Sequence, residues 1–278
     1  MTTTNGIAKP RLSVSTWSLH RTLGAPPFYG VDQPIPTDDH GQGAATLLEL
    51  PALIAAKKIK TLEICHFHLP SRDAVYLAEL KAAIEAAEVE LFTLLVDDGD
   101  LSHPEHGQRD RAWMEGWLEV AQALSSRCVR MIAGKQEPDA DSLERSYQGL
   151  RYLSERAEAR GLRLMTENWF AITSAPEYVE TLLQRLEGRV GLCLDFGNWE
   201  GLDKYKQLAA IAAHAESCHT KAHFETPVAL DEADYIRCLE LTKAAGFKGP
   251  YTLIYDGPHD NEWRGLKQER ALVRPYLV

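Results

Sequence analysis

The 278-residue chain is 45% hydrophobic and 25% charged, a composition that supports a large folded core and excludes global disorder. Its formal net charge of −10 argues against a surface that binds phosphate backbones, so we expect no nucleic-acid partner. The N-terminal residues lack the apolar stretch of a secretory signal, and no apolar run approaches membrane-spanning length, so we predict a cytoplasmic protein without membrane association.

Short apolar segments recur along the chain, and each is followed by a longer segment whose apolar residues have helical spacing. The predicted strands are Leu12 to Thr16, Thr61 to Cys65, Leu91 to Val96, Cys128 to Ala133, Leu162 to Thr166, Val190 to Asp195, Ser217 to Lys221 and Tyr251 to Asp256. The predicted helices are Ala44 to Lys58, Arg72 to Ala87, Arg109 to Ser125, Asp141 to Arg160, Ala175 to Glu187, Leu202 to His214, Asp231 to Ala245 and Glu262 to Pro275.

Strands that alternate with single helices favour parallel pairing, because each crossover returns the chain to the same edge of the sheet. Eight such units predict an α/β fold, a single-domain (β/α)₈ TIM barrel over residues 1–278. An open doubly wound sheet is the alternative, but no glycine-rich phosphate turn follows the first strand. The first connection, Arg21 to Gly43, is either a lid over a ligand or a disordered excursion.

Polar residues end several neighbouring strands, where a barrel gathers side chains at one mouth. The fifth predicted strand leads into Glu167 and the sixth ends at Asp195, while the seventh contains His219 and Lys221 and the eighth ends at Asp256. Carboxylates and a histidine around one point suit a divalent cation such as Mn, Mg, Co or Zn, since carboxylates crowded together without a cation repel each other. We therefore expect a metal cofactor.

Five short motifs, taken in order, resemble the xylose-isomerase-like TIM barrel family, which includes sugar and sugar-phosphate isomerases, ketose 3-epimerases, inosose dehydratase and an apurinic-endonuclease branch. The resemblance covers nearly the whole chain. The motifs are Leu62-Glu63-Ile64, Val129 to Gly134, Thr166-Glu167-Asn168, Gly191 to Asp195, and Cys218-His219-Thr220-Lys221.

The resemblance implies that Glu167, Asp195 and His219 bind the metal. It also implies a glutamate at the end of the eighth strand, but Ile254 stands at that position and Asp256, two residues on, is the substitute. Asn198 replaces a histidine that many relatives have, which argues against zinc.

The resemblance further implies that Glu167 is the base that moves a proton, with Asp256 as the second acid or base. Lys221 either stabilises an enediolate or forms a salt bridge to Asp195 or Asp256. Glu63 either contacts a substrate hydroxyl, orients a ligand, or forms an ion pair. Arg130 is expected to pair with Glu167 or Glu63 inside the barrel.

Further residues near the predicted mouth are candidates for substrate binding. Trp17 and Trp169 stack on a sugar face or pack at the rim, and His66 and His68 line the pocket or are solvated. His223 and His259 are rim candidates, and Asp97 is a candidate polar contact.

Together with the resemblance, these residues predict a metal-dependent isomerase or epimerase that acts on a sugar, sugar phosphate or polyol by carboxylate-mediated proton transfer. The alternatives are a lyase of the inosose-dehydratase type and a barrel that has lost catalysis and binds carbohydrate. A nuclease ranks last. The sequence leaves open which sugar is bound, which metal is native, and whether the chain forms a homo-oligomer.

Overall fold

Eight parallel strands pair in the order β1-β10-β7-β6-β5-β4-β3-β2 and close on themselves, which confirms the predicted barrel. The computed structural model describes residues 9–36, 43–226, 229–258 and 261–277. The barrel strands are β1 (Arg11–Ser15), β2 (Thr61–Cys65), β3 (Glu90–Val96), β4 (Cys128–Met131), β5 (Arg163–Glu167), β6 (Gly191–Asp195), β7 (Ala215–Lys221) and β10 (Pro250–Ile254). Their carboxyl ends meet at one mouth, as the parallel topology requires.

All eight predicted helices are present, with ends that differ by a few residues from the sequence-based bounds. They are α1 (Leu50–Ala56), α2 (Ala74–Ala86), α3 (Gly107–Ala123), α4 (Ala140–Glu158), α5 (Pro176–Arg185), α6 (Lys204–Ile211), α7 (Glu232–Ala244) and α8 (Glu262–Val273). The largest difference is at α1, which begins six residues after Ala44 because Glu49 accepts hydrogen bonds from the backbone and hydroxyl of Thr46 and holds a turn there. Within the described ranges, no helix has both the length and the apolar character needed to cross a bilayer.

The start of α4 illustrates how local sequence sets an element boundary. Asp139 accepts a hydrogen bond of 2.7 Å from the backbone N–H of Ser142, and the Ser142 hydroxyl accepts one of 2.8 Å from the backbone N–H of Asp139. This reciprocal capping satisfies two backbone donors that the helix itself leaves free and contributes about 1 kcal/mol. The helix therefore begins one residue before the predicted start.

A two-stranded antiparallel hairpin was not predicted. It consists of β8 (Phe224–Thr226) and β9 (Ala229–Leu230) and lies between β7 and α7. Strands of three and two residues are too short to produce a readable alternation of apolar and polar residues. The hairpin adds a ridge at the mouth of the barrel.

Alternation along each strand separates two environments. Outward residues such as Leu62 and Ile64 belong to the large apolar layer between strands and helices. Inside the barrel, a small apolar cluster forms a floor. It consists of Phe92, Cys128, Met165 and Cys193. Above this floor the inward residues are polar, and the next section describes them.

The first and last βα units are tied together. Glu262, at the start of α8 and only 2% exposed, accepts hydrogen bonds from the backbone N–H groups of Arg21 and Thr22, at 2.7 and 2.9 Å, and from the Thr22 hydroxyl at 2.6 Å. Ser18 donates to the carbonyl of Leu253 at 2.9 Å and accepts from the Tyr255 N–H at 2.8 Å. These contacts fix the loop after β1 against the end of the chain.

Candidate active site

A cavity of about 80 Å³ lies at the carboxyl ends of the strands, directly above the polar interior of the barrel. We call it the central cavity. Its lining residues are Ser15, Trp17, Cys65, Leu95, Asp97, Arg130, Glu167, Trp169, Asp195, Asn198, His219, Lys221 and Ile254. Polar groups that converge in a concave site at this face of a barrel identify the default candidate for catalysis or ligand binding.

His219 lies at the centre of the polar group. Its Nε2 atom is 2.7 Å from Oε2 of Glu63, and its Nδ1 atom is 3.5 Å from Oε1 of Glu167 and 3.7 Å from Oδ2 of Asp195. A carboxylate can only accept, so Nε2 carries a proton and donates to Glu63. Nδ1 therefore faces two carboxylates in the cavity, which brings together three of the residues that the resemblance implied.

The surroundings of His219 favour its charged form. Burial alone opposes the charge, but the Cys193 sulfur and the carboxylates of Glu167 and Glu63 raise the pKa of His219 well above its ordinary value. Burial also raises the pKa of Cys193 to about 11, so that side chain is a neutral thiol at pH 7. The two carboxylates are therefore the groups that stabilise the imidazolium.

Glu167 is buried and holds contacts on both oxygens. Its Oε1 accepts a 2.9 Å hydrogen bond from Asn198 Nδ2, and its Oε2 lies 2.9 Å from Nε of Arg130. Burial opposes its ionised form, but Arg130 and His219 overcome this effect and lower the pKa of the carboxyl. Glu167 is thus an ionised carboxylate in a cavity largely shielded from water.

Arg130 forms the predicted ion pair with Glu167 and not with Glu63. Its guanidinium also contacts Oδ1 of Asp97 at 2.5 Å and donates to the carbonyl of Val96 at 3.2 Å. Burial opposes the charge on Asp97, but the Arg130 guanidinium outweighs this effect and holds the pKa of Asp97 well below its ordinary value, so this carboxyl is ionised as well. Arg130 therefore balances two buried negative charges, which would otherwise be costly.

Asp195 is fixed by the backbone around it. Its Oδ1 accepts a 2.6 Å hydrogen bond from the N–H of Gly197. The Asn168 amide donates to the Asp195 carbonyl at 3.1 Å and accepts from the Asp195 N–H at 2.8 Å, which locks β5 and β6 at the mouth. These contacts leave the other carboxylate oxygen directed at His219.

The donor types suit a divalent cation that would displace the proton from Nδ1 of His219. Glu167 and Asp195 offer oxygens near this nitrogen, while Glu63 accepts from the other ring nitrogen, as carboxylates do behind metal-bound histidines. Oε2 of Glu167 is buried without a hydrogen bond of good geometry. Cys193, missed in the sequence, also belongs here, because its sulfur, a Glu167 oxygen and a His219 nitrogen lie within 4.8 Å of one another.

The structure does not bring Asp256 into this group. β10 ends at Ile254, two residues before the predicted strand end, so alternation no longer directs Asp256 into the barrel. Its carboxylate instead lies 2.9 Å from Lys221 Nζ at the mouth, which is one of the two outcomes expected for Lys221. Burial opposes the charge on Lys221, but Asp195 and Asp256 raise its pKa. The side chain of Ile254 lines the cavity where a fourth ligand would stand.

The two tryptophans lie where the sequence placed them. Trp17 follows β1, is 38% exposed and lines the central cavity. Trp169 follows β5, stacks on Phe170 with ring centroids 4.2 Å apart, and lies 5.5 Å from the guanidinium carbon of Arg130. Both present aromatic surface to the cavity.

His66 and His68 are buried in a single 3₁₀ turn after β2 and do not line the central cavity. His66 donates from Nε2 to the carbonyl of Tyr29 at 2.8 Å, and its Nδ1 accepts from the N–H of Asp97 at 3.2 Å. His68 contacts Thr16 and His20. Burial, with a further contribution from His20, lowers the pKa of His68 to about 3. From the sequence we expected these histidines either to line the pocket or to be solvated, and the structure shows neither, because both are buried outside the central cavity.

His223 is exposed and lines a separate cavity of about 580 Å³ that also contains Lys221 and Asp256. His259 lies outside the described residues. Asn198, which the sequence marked only as a departure from the family, contacts Glu167 directly. Its position three residues after Asp195, where many relatives have a histidine, was the feature of the sequence that could have placed Asn198 in the site.

Comparison with known proteins identifies the family and the fold. A family model described as "Xylose isomerase-like TIM barrel" matches residues 51–275. No curated protein matches the chain. Among solved structures, a xylose isomerase domain protein from Planctomyces limnophilus is 15% identical with a TM-score of 0.70, and the match covers 98% of this chain and 99% of that one.

Two further structures have the same fold. D-psicose 3-epimerase with D-tagatose from Clostridium cellulolyticum H10 is 15% identical, with a TM-score of 0.64 over 97% of this chain and 96% of that one. A xylose isomerase-like TIM barrel protein from Mycobacterium smegmatis in complex with magnesium is 11% identical, with a TM-score of 0.67. The match covers 97% of this chain and 98% of that one. The family match covers most of the sequence, and the chain belongs to the xylose isomerase-like TIM barrel family.

Proposed function

We propose that the chain is a sugar or polyol isomerase or epimerase in which Glu167 takes a proton from a carbon atom beside the carbonyl group of the substrate. The observation that carries the proposal is the ionised Glu167 carboxylate, buried in the central cavity between Arg130 and His219. A base held in a site with little water can abstract a proton from carbon beside a carbonyl group. The epimerase among the fold relatives supports the choice of a sugar substrate.

We further propose that Glu167, Asp195 and His219 hold a divalent cation. When bound, such an ion polarises a substrate carbonyl and so acidifies the neighbouring C–H group. Glu63 keeps Nδ1 of His219 directed into the site by accepting from Nε2. The magnesium complex of a fold relative is consistent with this assignment.

Lys221 and Asp256 have a role at the mouth in this proposal. The ammonium group of Lys221 neutralises the negative charge that develops on the substrate oxygen after Glu167 takes the proton, and Asp256 positions the ammonium through their 2.9 Å ion pair. Trp17 and Trp169 provide apolar surface for the sugar ring. Return of the proton to the neighbouring carbon, while the hydroxyl proton passes to the former carbonyl oxygen, gives the isomer. The epimer needs a second proton donor on the opposite face, the role that the resemblance implied for Asp256.

A second candidate is a barrel that binds carbohydrate without catalysis. Two observations favour it: Ile254 provides no fourth ligand, and Arg130 already balances the charge of Glu167. A binding barrel would hold sugars but would not exchange their carbon-bound hydrogen. The lyase alternative would release water from its substrate, so the product distinguishes it.

The test is hydrogen exchange in D₂O. The purified protein, loaded in turn with Mn²⁺, Mg²⁺, Co²⁺ and Zn²⁺, is incubated with a panel of ketoses, aldoses and inososes, and deuterium at carbon is followed by NMR. We expect exchange with at least one sugar, and loss of at least about 100-fold in rate for Glu167→Gln, since removal of a general base costs factors of this order. Glu177→Gln, at an exposed position on α5, is the matched control.

Sugar binding without exchange under any metal would refute the isomerase and favour the binding barrel. Exchange that is unaffected by Glu167→Gln would refute the assignment of the base. Elemental analysis of the protein purified without chelator, beside Asp195→Asn, tests the cation assignment separately.

A further inference from the structure

A second, more apolar cleft of about 360 Å³ opens beside the central cavity. One wall comes from the loop after β1 and the turn after β2, and the other follows β10. We call it the aromatic cleft. The side chains that define it are Trp17, Pro26, Pro27, Phe28, Phe67 and Tyr255. The first wall includes part of the loop from Arg21 to Gly43, which from the sequence we considered as a lid. The part of this loop that the structure describes ends at residue 36.

The aromatic cleft and the central cavity are continuous at Trp17, which lines both. The central cavity, at about 80 Å³, is well below the roughly 300 to 1,000 Å³ typical of sites that enclose a small-molecule ligand. It has room for the reacting carbon atoms and their oxygens but not for a larger substrate. The rest of a bound molecule must extend either past Trp17 into the aromatic cleft or past Lys221 into the separate cavity of about 580 Å³. That larger cavity is lined by Lys204, Asp231 and Asp234, which suit a charged or strongly polar group rather than a ring with an apolar face.

Two of the large apolar side chains that remain exposed belong to this cleft, Trp17 at 38% and Phe28 at 51%. Phe67 supports both, with ring centroids 6.1 Å from Trp17 in an edge contact and 5.3 Å from Phe28. Aromatic residues that are held in place by a neighbour and still exposed lose little conformational entropy when a ring packs on them.

The charged groups of the aromatic cleft already have partners. Glu262 accepts three hydrogen bonds from Arg21 and Thr22, the Arg21 guanidinium donates to the carbonyl of Gly257 at 3.2 Å, and Asp256 pairs with Lys221. The hydrogen bonds of Glu262 to Thr22 and to the Arg21 backbone, and that of Arg21 to Gly257, involve neutral partners, but they occupy these polar groups, so the surface left for a ligand is mainly aromatic and proline. Its complementary ligand is an uncharged ring with an apolar face.

We propose that the substrate carries a second, uncharged ring joined to the reacting sugar, and that the aromatic cleft binds this ring. The inference rests on the proposed function for the identity of the reacting part. It makes the substrate a sugar that keeps its carbonyl group and carries the second ring on another oxygen, as the reducing end of a disaccharide does, rather than a free monosaccharide. An aromatic substituent and a second pyranose share the required chemistry, and the experiment separates them.

The probes are 4-O-methyl-D-glucose, 4-O-benzyl-D-glucose and cellobiose, which all keep a free carbonyl end, with affinities measured by calorimetry and contacts by saturation-transfer NMR. We expect the benzyl ether or cellobiose to bind about tenfold more tightly than the methyl ether, since one or two ring contacts contribute on the order of 1.4 kcal/mol. Benzyl preference indicates a site for an aromatic substituent, and cellobiose preference indicates a sugar site. Saturation should reach the protons of the second ring.

The variants are Trp17→Ala and Phe28→Ala, both at exposed positions where folding should be unaffected, and Val75→Ala is the control because Val75 is 71% exposed on α2 and lies outside the cleft. We expect either cleft variant to reduce the tenfold preference to less than about twofold, and the control to retain it. Equal affinity for the three probes, no binding of the two larger probes, or a preference that survives both cleft variants would overturn the proposal. These binding measurements do not depend on turnover. If the D₂O exchange test fails but the preference for a second ring remains, the proposed function is refuted and the assignment of the aromatic cleft stands.

Discussion

Glu63 and His219 are 156 residues apart in the chain, yet Oε2 of Glu63 lies 2.7 Å from Nε2 of His219 across the interior of the barrel. Both side chains are at most 5% exposed. The contact fixes which nitrogen of the imidazole carries a proton and which one faces Glu167 and Asp195. Glu63 therefore acts on the site through His219, and it does so from the opposite side of the barrel.

Glu63→Gln should weaken divalent-metal binding by about 10- to 100-fold, the usual cost of losing a carboxylate behind a metal-bound histidine. Calorimetric titration with Mn²⁺ measures the change. Thr93→Val is the matched control, because it removes only the 3.3 Å hydrogen bond from the Thr93 hydroxyl to Glu63. Affinity within about twofold of wild type for Glu63→Gln would show that His219 does not bind the metal.

Arg130→Met should destabilise the fold by about 3 to 5 kcal/mol, because it leaves the buried carboxylates of Asp97 and Glu167 without their shared cation. Without the guanidinium, burial raises the pKa of both carboxyls, so the folded variant takes up protons as the pH falls. Its free energy of unfolding should then recover as the pH falls toward the ordinary pKa range of carboxyl groups.

Urea denaturation at several pH values measures this effect. Arg151→Met is the control, since Arg151 is exposed and pairs with Glu155 at 3.3 Å within α4; we expect a change below about 0.5 kcal/mol. A loss for Arg130→Met as small as that of the control would contradict the structural assignment.

His68 should make the fold less stable in mild acid. The folded chain binds a proton at His68 only near pH 3, whereas the unfolded chain binds one below its ordinary pKa of 6.5. The free energy of unfolding therefore falls as the pH falls through this window, by about 1.4 kcal/mol per pH unit, or about 2 kcal/mol at pH 5.

His68→Asn should remove this part of the pH dependence, measured as the difference in urea midpoints between pH 7 and pH 5. His214→Asn, at an exposed position, should retain the wild-type slope. Parallel slopes for wild type and His68→Asn would show that His68 titrates normally.

Ile254→Glu should add the fourth ligand that the family pattern includes and this chain lacks. We expect Mn²⁺ to bind about tenfold more tightly, because an additional carboxylate raises the charge of the site. Ile254→Gln introduces similar volume without charge and should change affinity less than about threefold. Equal effects of the two substitutions would place position 254 outside the coordination sphere.

The sequence predicted the barrel because eight strand-helix units leave few ways to close a parallel sheet. Glu167, Asp195 and His219 were selected through the family resemblance, and the structure places their side chains close together, with Nδ1 of His219 3.5 Å from Glu167 and 3.7 Å from Asp195. Asp256 was harder to place, since its position depended on where β10 ends, and strand ends are set by tertiary contacts such as the Tyr255 N–H bonded to Ser18.

The histidines after β2 show a different difficulty. Sequence spacing placed His66 and His68 near the mouth, which is correct for the backbone, but a single 3₁₀ turn rotates both rings into the protein. Their partners, Tyr29 and Thr16, come from the β1 strand and its following loop, and no local pattern reveals such a contact. Cys193 was missed because a cysteine in an apolar strand resembles a core residue.

Glu262 connects the loop after β1 to the first turn of α8, so the two walls of the aromatic cleft come from opposite ends of the chain. The cleft can exist only after the first and last βα units have met, which is the event that closes the barrel. Trp17 stands at that junction. Its fluorescence during refolding should therefore follow ring closure of the sheet, and a ligand in the cleft should slow unfolding by holding the two ends of the chain together.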